Sequence, residues 1–409
     1  MASRTQTTLS LVFVALVFIV LLTSSAWGQQ PKRCEPNVRG AQPKGCQVPT
    51  PLFPVEEGWS RTLDAPPSAG GAMDDARVYV PLQSQALVAL DRESGAVAWK
   101  RDIESAWPPV LRDGVLYLAA SDEVHALDPA TGEQRWRTSL DRPVTAPLTW
   151  AAGWLVAVVE PGEIVAFNPS GGGIAWRTPL TGSSRSAVAW EGSRLFVSLD
   201  DGRVVALAAP DGARLWEAKL AGTLNAPAAT RDRVFVGSDN NRLYALDAGT
   251  GTLAWQWRVG GDVIGAATDS AGVVYFASLD NMLRAVNRGN GNQRWKKDIG
   301  NRPAIPPQVV NDVLLVTGVA PVVTAYDGRT GAAVGSYTGP AESNLQGAPM
   351  VDAQLRAYHV AMVVVTRDGR VTGLRPTAML YKETAPTPMD VLPGTRLNRE
   401  GDPKSQIPN

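Results

Sequence analysis

The sequence has few of the side chains on which many enzymes and metalloproteins depend. It contains two cysteines and two histidines in 409 residues, which leaves little material for metal sites built from imidazole and thiolate ligands. Its 39 basic and 39 acidic residues balance, so the overall charge does not favour a nucleic acid or an anionic membrane as a partner. Beyond Gly28 no stretch has a convincing helical period, and no Gly-x-Ser-x-Gly hydrolase signature occurs. Strands and turns are therefore expected to form the fold.

The N-terminal segment, residues 1–28, has the order of an export signal. Arg4 supplies a positive start, Leu9 to Leu22 form an apolar run, and Ala26 and Gly28 occupy the small positions of a cleavage site. A run of 14 residues is short for a membrane span, which needs about 20. We predict a cleaved signal over residues 1–28, and an uncleaved N-terminal anchor is the alternative.

Both cysteines lie in the segment that follows, a proline-rich linker predicted over residues 29–57. Cys34 and Cys46 are expected to form a disulfide in an oxidising exported compartment. A metal-binding pair is the weaker alternative, because no histidine or third cysteine is near in the sequence. At the other end, residues 381–409 are polar and proline-rich without a period, which predicts a disordered tail.

A repeat of about 40 residues occupies most of the remaining chain. Six tryptophans each stand four residues after a glycine, at spacings of 37 to 40 residues: Trp99, Trp136, Trp176, Trp216, Trp255 and Trp295. A further copy, AYDGRTGAAVG, has Gly335 where the tryptophan would stand. Trp59 lies 40 residues before Trp99 and begins the series without the preceding motif.

Each repeat contains short apolar strands separated by polar turns, which is typical of antiparallel hairpins. Four strands in each repeat are the content of one propeller blade. We therefore predict an all-β, eight-bladed β-propeller of four-stranded antiparallel blades over residues 58–380. The last module, Met362 to Leu374, lacks an outer strand, whereas Gly58 to Leu63 form an outer strand without a blade. Trp59 is therefore expected to complete the eighth blade and close the ring.

The motif ALDAGTGTLAW indicates how neighbouring blades are held together. Asp247 is placed to bind the turn amides, and Gly251 permits a positive φ. Trp255 then falls on the outer strand, where its ring can pack against the next blade. Trp59 and the six repeat tryptophans are thus predicted to be structural docking residues.

These motifs resemble the tryptophan-docking repeat of pyrroloquinoline-quinone-type β-propellers. Within that group the chain is most similar to the scaffold lipoprotein family of the outer-membrane β-barrel assembly machinery. The resemblance implies a non-catalytic, periplasmic protein without a cofactor that binds the barrel-inserting outer-membrane protein. Arg185, in TGSSRSAVAW, matches the partner-binding arginine of that family, whereas Ala221 to Pro227 lack its acidic pair. No lipid-anchor cysteine follows the signal, so membrane association would depend on a partner or an uncleaved N-terminal segment.

Other functions remain open on the same fold. Quinoprotein dehydrogenases carry an adjacent cysteine pair, a calcium-type ion and acidic catalytic residues, and this sequence has no Cys-Cys pair. A quinone- or small-ligand-binding sensor or dehydrogenase is therefore the alternative to the scaffold, as is an accessory subunit of another membrane complex. No catalytic, cofactor-binding or metal-binding residue is predicted.

The remaining polar and aromatic candidates have simpler structural interpretations. His125 and His359 are each predicted to be structural, because one imidazole does not make a metal site. The turns Asp200–Asp201, 239–241 and 280–281 lack the ligand pattern of a calcium loop and are predicted as hairpin turns. Beyond the predicted signal, five tryptophans fall outside the docking series and could serve either packing or an interface: Trp107, Trp150, Trp154, Trp190 and Trp257.

Overall fold

The computed structural model describes residues 52–340, 343–356 and 359–377. The predicted signal, the Cys34–Cys46 disulfide, most of the linker and the tail lie outside these residues. The described part consists of strands, turns and loops, and it contains no helix with the length and apolar character needed to cross a membrane. All of it belongs to one compact unit.

Thirty-two strands form eight four-stranded sheets, and each sheet is one blade. The first described strand is β1 (Val55–Thr62). Blade 1 contains β2 (Ala72–Met73), β3 (Arg77–Leu82), β4 (Ala86–Asp91) and β5 (Val97–Arg101). Blade 2 contains β6 (Val110–Arg112), β7 (Val115–Ala120), β8 (Glu123–Leu127) and β9 (Gln134–Ser139). Blade 3 contains β10 (Thr149–Ala151), β11 (Trp154–Val159), β12 (Glu163–Phe167) and β13 (Ile174–Pro179).

The next three blades follow the same order. Blade 4 contains β14 (Ala189–Glu191), β15 (Arg194–Ser198), β16 (Arg203–Ala208) and β17 (Arg214–Lys219). Blade 5 contains β18 (Ala228–Ala229), β19 (Arg233–Ser238), β20 (Arg242–Asp247) and β21 (Leu253–Arg258). Blade 6 contains β22 (Val263–Thr268), β23 (Val273–Ser278), β24 (Met282–Asn287) and β25 (Gln293–Asp298).

The last two blades bring the chain ends together. Blade 7 contains β26 (Gln308–Val310), β27 (Val313–Thr317), β28 (Val322–Asp327) and β29 (Ala333–Thr338). Blade 8 contains β30 (Met350–Val351), β31 (Met362–Val365) and β32 (Arg370–Pro376), and its outer strand is β1. The predicted eight-bladed propeller, closed by an N-terminal outer strand in the last blade, is confirmed.

The ring is closed by antiparallel pairing of β1 with β32. The register runs from Val55 opposite Pro376 to Thr62 opposite Arg370, and it shifts between Glu57 and Trp59. The strand therefore begins before the predicted start at Gly58. Leu52 and Phe53, placed in the linker by the sequence analysis, are 2% and 5% exposed and belong to a core cluster of blades 7 and 8. Their burial places the structural start of the propeller before β1.

The burial patterns explain the composition of the strands. The two middle strands of each blade are buried on both faces because a neighbouring blade covers each face, so they consist of nearly continuous apolar residues, as in β7 and β12. The outer strands alternate between exposed and partly buried residues, as in β13. Runs of small residues lead into the inner strands, as at 68–71 before β2 and 347–349 before β30. Gly70 and Gly347 approach closely there, where blade 8 meets blade 1.

Candidate partner-binding face and the scaffold that carries it

The seven repeat tryptophans make the same contact with the next blade. Each indole N–H donates a hydrogen bond to the backbone carbonyl of the residue that follows the motif aspartate, or the residue in its place. The acceptors, from Trp59 to Trp295 in chain order, are the carbonyls of Arg92, Pro129, Pro169, Ala209, Ala248, Arg288 and Gly328, at 2.7 to 3.1 Å. The sequence pattern contains the ring and the glycine but gives no indication of this carbonyl, because every residue has one.

The indole rings also lie directly on the motif glycines. A Cβ atom at Gly251 would stand 2.5 Å from the Trp216 ring, and Gly251 has a φ of 74°. Both the space and the backbone conformation therefore require glycine at this position. Within each blade the tryptophan pairs with a small residue of the third strand, as Trp255 does with Ala245. The ring is thus held between its own sheet and the turn of the next blade.

The motif aspartate organises the turn on which the ring lies. Asp247 accepts hydrogen bonds from the backbone N–H groups of Gly249 and Thr250, both at 3.0 Å, and from the Thr250 hydroxyl at 3.1 Å. The hydroxyl bond, supported by the two amides, holds the pKa of Asp247 below its usual value. The carboxylate is therefore charged at neutral pH, and it fixes the turn that carries the docking carbonyl.

The blade without a tryptophan is completed from the N-terminus. Gly335 stands where the ring of blade 7 would be, and the Phe53 side chain lies against it, so close that a Cβ at Gly335 would be 2.5 Å from Phe53 Cβ. Blade 8 has no described motif turn to receive an indole, because its outer strand comes from the start of the chain. Phe53 fills the vacant side of β29 in place of the missing ring.

A polar network joins blade 1 to blade 8 at the closure. Arg92 is 2% exposed, its Nε donates to the Val360 carbonyl at 2.7 Å, and its Nη2 pairs with Asp352 at 2.7 Å. Next to it, Glu93 accepts from the Val360 amide at 3.2 Å and lies 3.2 Å from His359 Nδ1. These contacts join residues at opposite ends of the repeat series, and no local sequence pattern indicates that they are neighbours.

The loops form two faces of the disc. The front face consists of the loops that run from each outer strand to the next inner strand and of the turns between the second and third strands of each blade. The back face consists of the turns between the first and second strands of each blade and of the motif turns that precede the outer strands. Arg185 lies on the front face, in the 180–188 loop that leads into β14.

The loop that carries Arg185 is firmly anchored on both sides of it. Ser184 is 1% exposed, its hydroxyl donates to the Ser198 carbonyl at 2.8 Å, and its own carbonyl accepts from the Thr145 hydroxyl of blade 3 at 2.8 Å. Asp200 N donates to the Ser183 carbonyl at 2.9 Å. Arg185 itself is exposed and forms no hydrogen bond or ion pair with any described residue. A well-anchored loop therefore presents one free guanidinium to solvent.

Acidic groups flank Arg185 on the same face. The turn 199–202 of its own blade carries Asp200 and Asp201. In blade 5 the loop Ala221 to Pro227 has no acid, but Asp239 of the adjacent turn accepts from the Thr223 amide at 2.8 Å. A carboxylate is thus brought to that loop from another part of the blade, although the local sequence does not contain it.

The other polar candidates lie in structural positions. His125 is 7% exposed, 3.1 Å from Glu123 and 3.3 Å from Gln134. Asp280 pairs with Arg284 at 2.6 Å in the turn between β23 and β24, in agreement with the predicted hairpin turn. Within the described ranges, no group of three or more His, Cys, Asp or Glu residues could hold a metal ion.

The five other tryptophans divide into covered and uncovered rings. Trp107 and Trp257 donate their indole N–H groups to the carbonyls of Val144 and Gly291, at 3.3 and 2.6 Å. Trp150 and Trp154 are partly buried and pack against core clusters. Trp190 differs from these four because 43% of it is exposed.

Comparison with known proteins agrees with this architecture. The profile of the family described as "Outer membrane protein assembly factor BamB" matches residues 56–124, 120–230, 200–304 and 281–378. No curated protein sequence matches the chain significantly.

Solved structures share the fold at low sequence identity. BamB from Moraxella catarrhalis superposes with a TM-score of 0.62 at 19% identity, over 78% of this chain and 99% of that one. The computationally designed Ika8 protein gives 0.63 at 16%, over 77% and 98% of the two chains. The quinohemoprotein alcohol dehydrogenase ADHIIG from Pseudomonas putida HK5 gives 0.59 at 14%, over 87% and 78%. These structures establish the propeller fold alone, and the profile match over nearly the whole ring places the chain in the family of the outer membrane protein assembly factor BamB.

Proposed function

We propose that the protein is a non-catalytic propeller scaffold that binds protein partners in the cell envelope during outer-membrane protein assembly. Family membership supports this role, as does the predicted export signal, which would deliver the chain to the periplasm. The barrel-inserting outer-membrane protein is the partner that the resemblance implies. Attachment to the membrane would then come through that partner or through an uncleaved N-terminal segment.

The observation that carries the proposal is the free Arg185 on its anchored loop. An exposed, unpaired guanidinium costs little to present and can form a two-pronged bond with a partner carboxylate. Because the loop is already ordered, binding loses little conformational entropy. We infer that the front face over blades 4 and 5 is the partner-binding surface and that Arg185 is its central charged contact.

Affinity purification of the full chain from envelope membranes tests this directly. Arg185→Glu should weaken co-purification of the barrel-inserting protein at least about tenfold, because it replaces attraction by like-charge repulsion. Arg142→Glu is the matched control, since Arg142 is also exposed on the front face and unpaired among the described residues. Equal recovery with Arg185→Glu and with the unmodified chain would remove the proposed surface. Recovery of a different membrane complex would point to an accessory subunit.

A quinone-dependent dehydrogenase is the second candidate, because a quinohemoprotein alcohol dehydrogenase shares the fold. The residues around the central channel do not fit that cofactor well. The eight inner strands carry two charged residues, Arg112 and Glu191, and no cysteine lies in the described part of the chain. Purified protein supplied with the quinone and calcium should stay colourless and inactive. Bound chromophore or substrate oxidation would favour the enzyme over the scaffold.

A further inference from the structure

Trp190 is exposed because blade 3 has small side chains at the positions next to it. It occupies the same register position in β14 as Trp150 does in β10, since each pairs with the second residue of the next strand. Trp150 lies 5.9 Å from the Tyr117 ring, and the Arg112 guanidinium covers it at 5.9 Å. The corresponding positions in blade 3 hold Val156 and Ala151. Because these two side chains are small, Trp190 of blade 4 stays exposed, whereas the equivalent Trp150 of blade 3 is covered by Tyr117 and Arg112.

The exposed ring lies on an open part of the surface between blades 3 and 4. Trp190 pairs with Leu195, and Leu195, Ala151 and Trp154 share one core cluster, so Trp190 lies on the side of β14 that faces blade 3. A Cβ atom added at Gly153 or at Gly192 would have no other atom within 4 Å except those of its chain neighbours. We call this surface, made by Trp154, Trp190, the turn 151–153 and Gly192, the tryptophan notch.

The tryptophan notch coincides with a gap in the charge of the back face. The back-face turns of blades 3 and 4 carry one charged residue, Asp211. Those of the other six blades carry fifteen among the described residues: Asp74, Asp75, Arg92, Glu93, Asp113, Asp128, Glu133, Arg231, Asp232, Asp269, Arg288, Asp312, Arg329, Asp352 and Arg356. Glu191 and Arg194 pair with each other in register on the opposite side of β14 from Trp190. An uncharged surface with two indoles suits a ligand that is mostly apolar and carries little charge.

The C-terminal segment of the same chain leaves blade 8 on this face. β32 runs away from the front-face turn 366–369 and ends at Pro376 opposite Val55. It lies two strand spacings, about 10 Å, outside the inner strand of its blade. The stretch from Thr377 to Pro386 can extend about 30 Å, which leaves about 20 Å to cross the channel mouth toward blade 4.

We propose that residues 386–393 of the chain, PTPMDVLP, bind in the tryptophan notch. This stretch contains three prolines, apolar Met389, Val391 and Leu392, and a single charge at Asp390. Aromatic-lined grooves recognise proline-rich segments because their extended conformation is already set, so ordering them costs little entropy. Tethering raises the local concentration of the segment to the millimolar range, so a shallow site is enough. The proposal is independent of the scaffold function.

Hydroxyl-radical footprinting of the full chain with mass spectrometry measures the cover directly. The readout is the oxidation rate of Trp190 relative to Trp150 in the same molecules. Replacing Pro386, Pro388 and Leu392 by serine should raise that ratio several-fold, because the ring loses its cover. Replacing Pro403 and Pro408 by serine is the matched control and should leave the ratio unchanged. An equal ratio in the first variant and the unmodified chain overturns the proposal, whether Trp190 is reactive or protected in both.

A crosslinking measurement identifies the occupant. Benzoylphenylalanine at Met389 should crosslink within one molecule to the peptide that contains Trp190 or Trp154, and Trp190→Ala should reduce the yield several-fold. Crosslinks only between two copies, or only to another protein, would show that something else covers the tryptophan notch and would contradict the proposal.

Discussion

At the scale of the residue, each docking tryptophan contacts the next blade in two ways, through its ring and through its indole N–H. The ring requires a glycine beneath it, and the indole N–H requires a carbonyl that the turn holds in place, at 3.1 Å for Trp216. Two buried tyrosine hydroxyls lie beside the same carbonyls, Tyr79 at 3.1 Å from Pro129 O and Tyr275 at 3.2 Å from Gly328 O. Each hydroxyl makes its shorter bond to a carboxylate, Asp74 at 2.7 Å and Asp269 at 2.8 Å. The spacing of tryptophan and glycine is therefore the visible part of a larger contact.

The turn of blade 3 offers a direct test with adjacent glycines. Gly172 has a φ of 71°, and a Cβ there would lie 2.5 Å from the Trp136 ring, whereas Gly173 has open space within 4 Å. Gly172→Ala should lower the free energy of unfolding by about 2–4 kcal/mol, because it combines backbone strain with displacement of a packed ring. Gly173→Ala should change it by less than about 1 kcal/mol. Denaturant unfolding measures both, and equal losses would contradict the contact.

Asp280 makes the stability of the turn in blade 6 depend on pH. Burial alone would raise its pKa, but hydrogen bonds from Arg284 and Ser278 and the charge of Arg284 outweigh burial and lower the pKa to about 2. The folded state therefore binds this proton less tightly than the unfolded chain. The resulting stabilisation is complete above pH 4 to 5 and is lost as the pH falls toward 2.

Substitution by asparagine should expose that dependence. Asp280→Asn should cost about 2 kcal/mol at pH 7, because it removes the charge that pairs with Arg284, itself 7% exposed. The difference between variant and unmodified protein should shrink as the pH falls from 4 to 2. Urea unfolding at pH 7, 4 and 2.5 gives the comparison, and a difference that stays constant would show that the ion pair does not stabilise the fold.

At the scale of the element, the two incomplete outer strands complete each other. β29 lacks its tryptophan, and blade 8 lacks its own outer strand. The N-terminal segment supplies both, because Phe53 lies against Gly335 and β1 pairs with β32. The pairing of β1 with β32 was predicted from Trp59 and from the last module, which lacks an outer strand of its own. The contact of Phe53 with Gly335 was missed because Leu52 and Phe53 stand beside prolines without any repeat, so local composition resembled a linker.

Phe53 should be among the most important side chains of the closure. Phe53→Ala should lower the free energy of unfolding by about 3–4 kcal/mol, because it leaves a cavity between blades 7 and 8. Val334, the 47% exposed neighbour of Gly335, provides the control, and Val334→Ala should change stability by less than about 0.5 kcal/mol. Thermal and denaturant unfolding of both variants measure the two changes in the free energy of unfolding. A Phe53→Ala protein as stable as the control would assign closure to β1 alone.

At the scale of the whole molecule, the sequence predicted the architecture better than the surface. Blade number, strand order and closure followed from the regular recurrence of tryptophan and glycine, because each repeat buries the same side chains in the same way. Arg185 was placed by resemblance to a family, and the structure locates it on a front-face loop without testing its role. Asp239 beside Thr223, Arg92 beside Asp352, and the exposed Trp190 depend on contacts between distant residues, which no local pattern encodes.

The N-terminal strand closes the ring and so makes the loops a rigid platform. Hydrogen–deuterium exchange of the full chain tests this closure most directly. Amides of β1 that pair with β32 should exchange as slowly as those between β31 and β32, and Phe53→Ala should accelerate the exchange of β1 before that of blades 2 to 6. Rapid exchange of β1 in the unmodified protein, with the other blades protected, would contradict the closed ring.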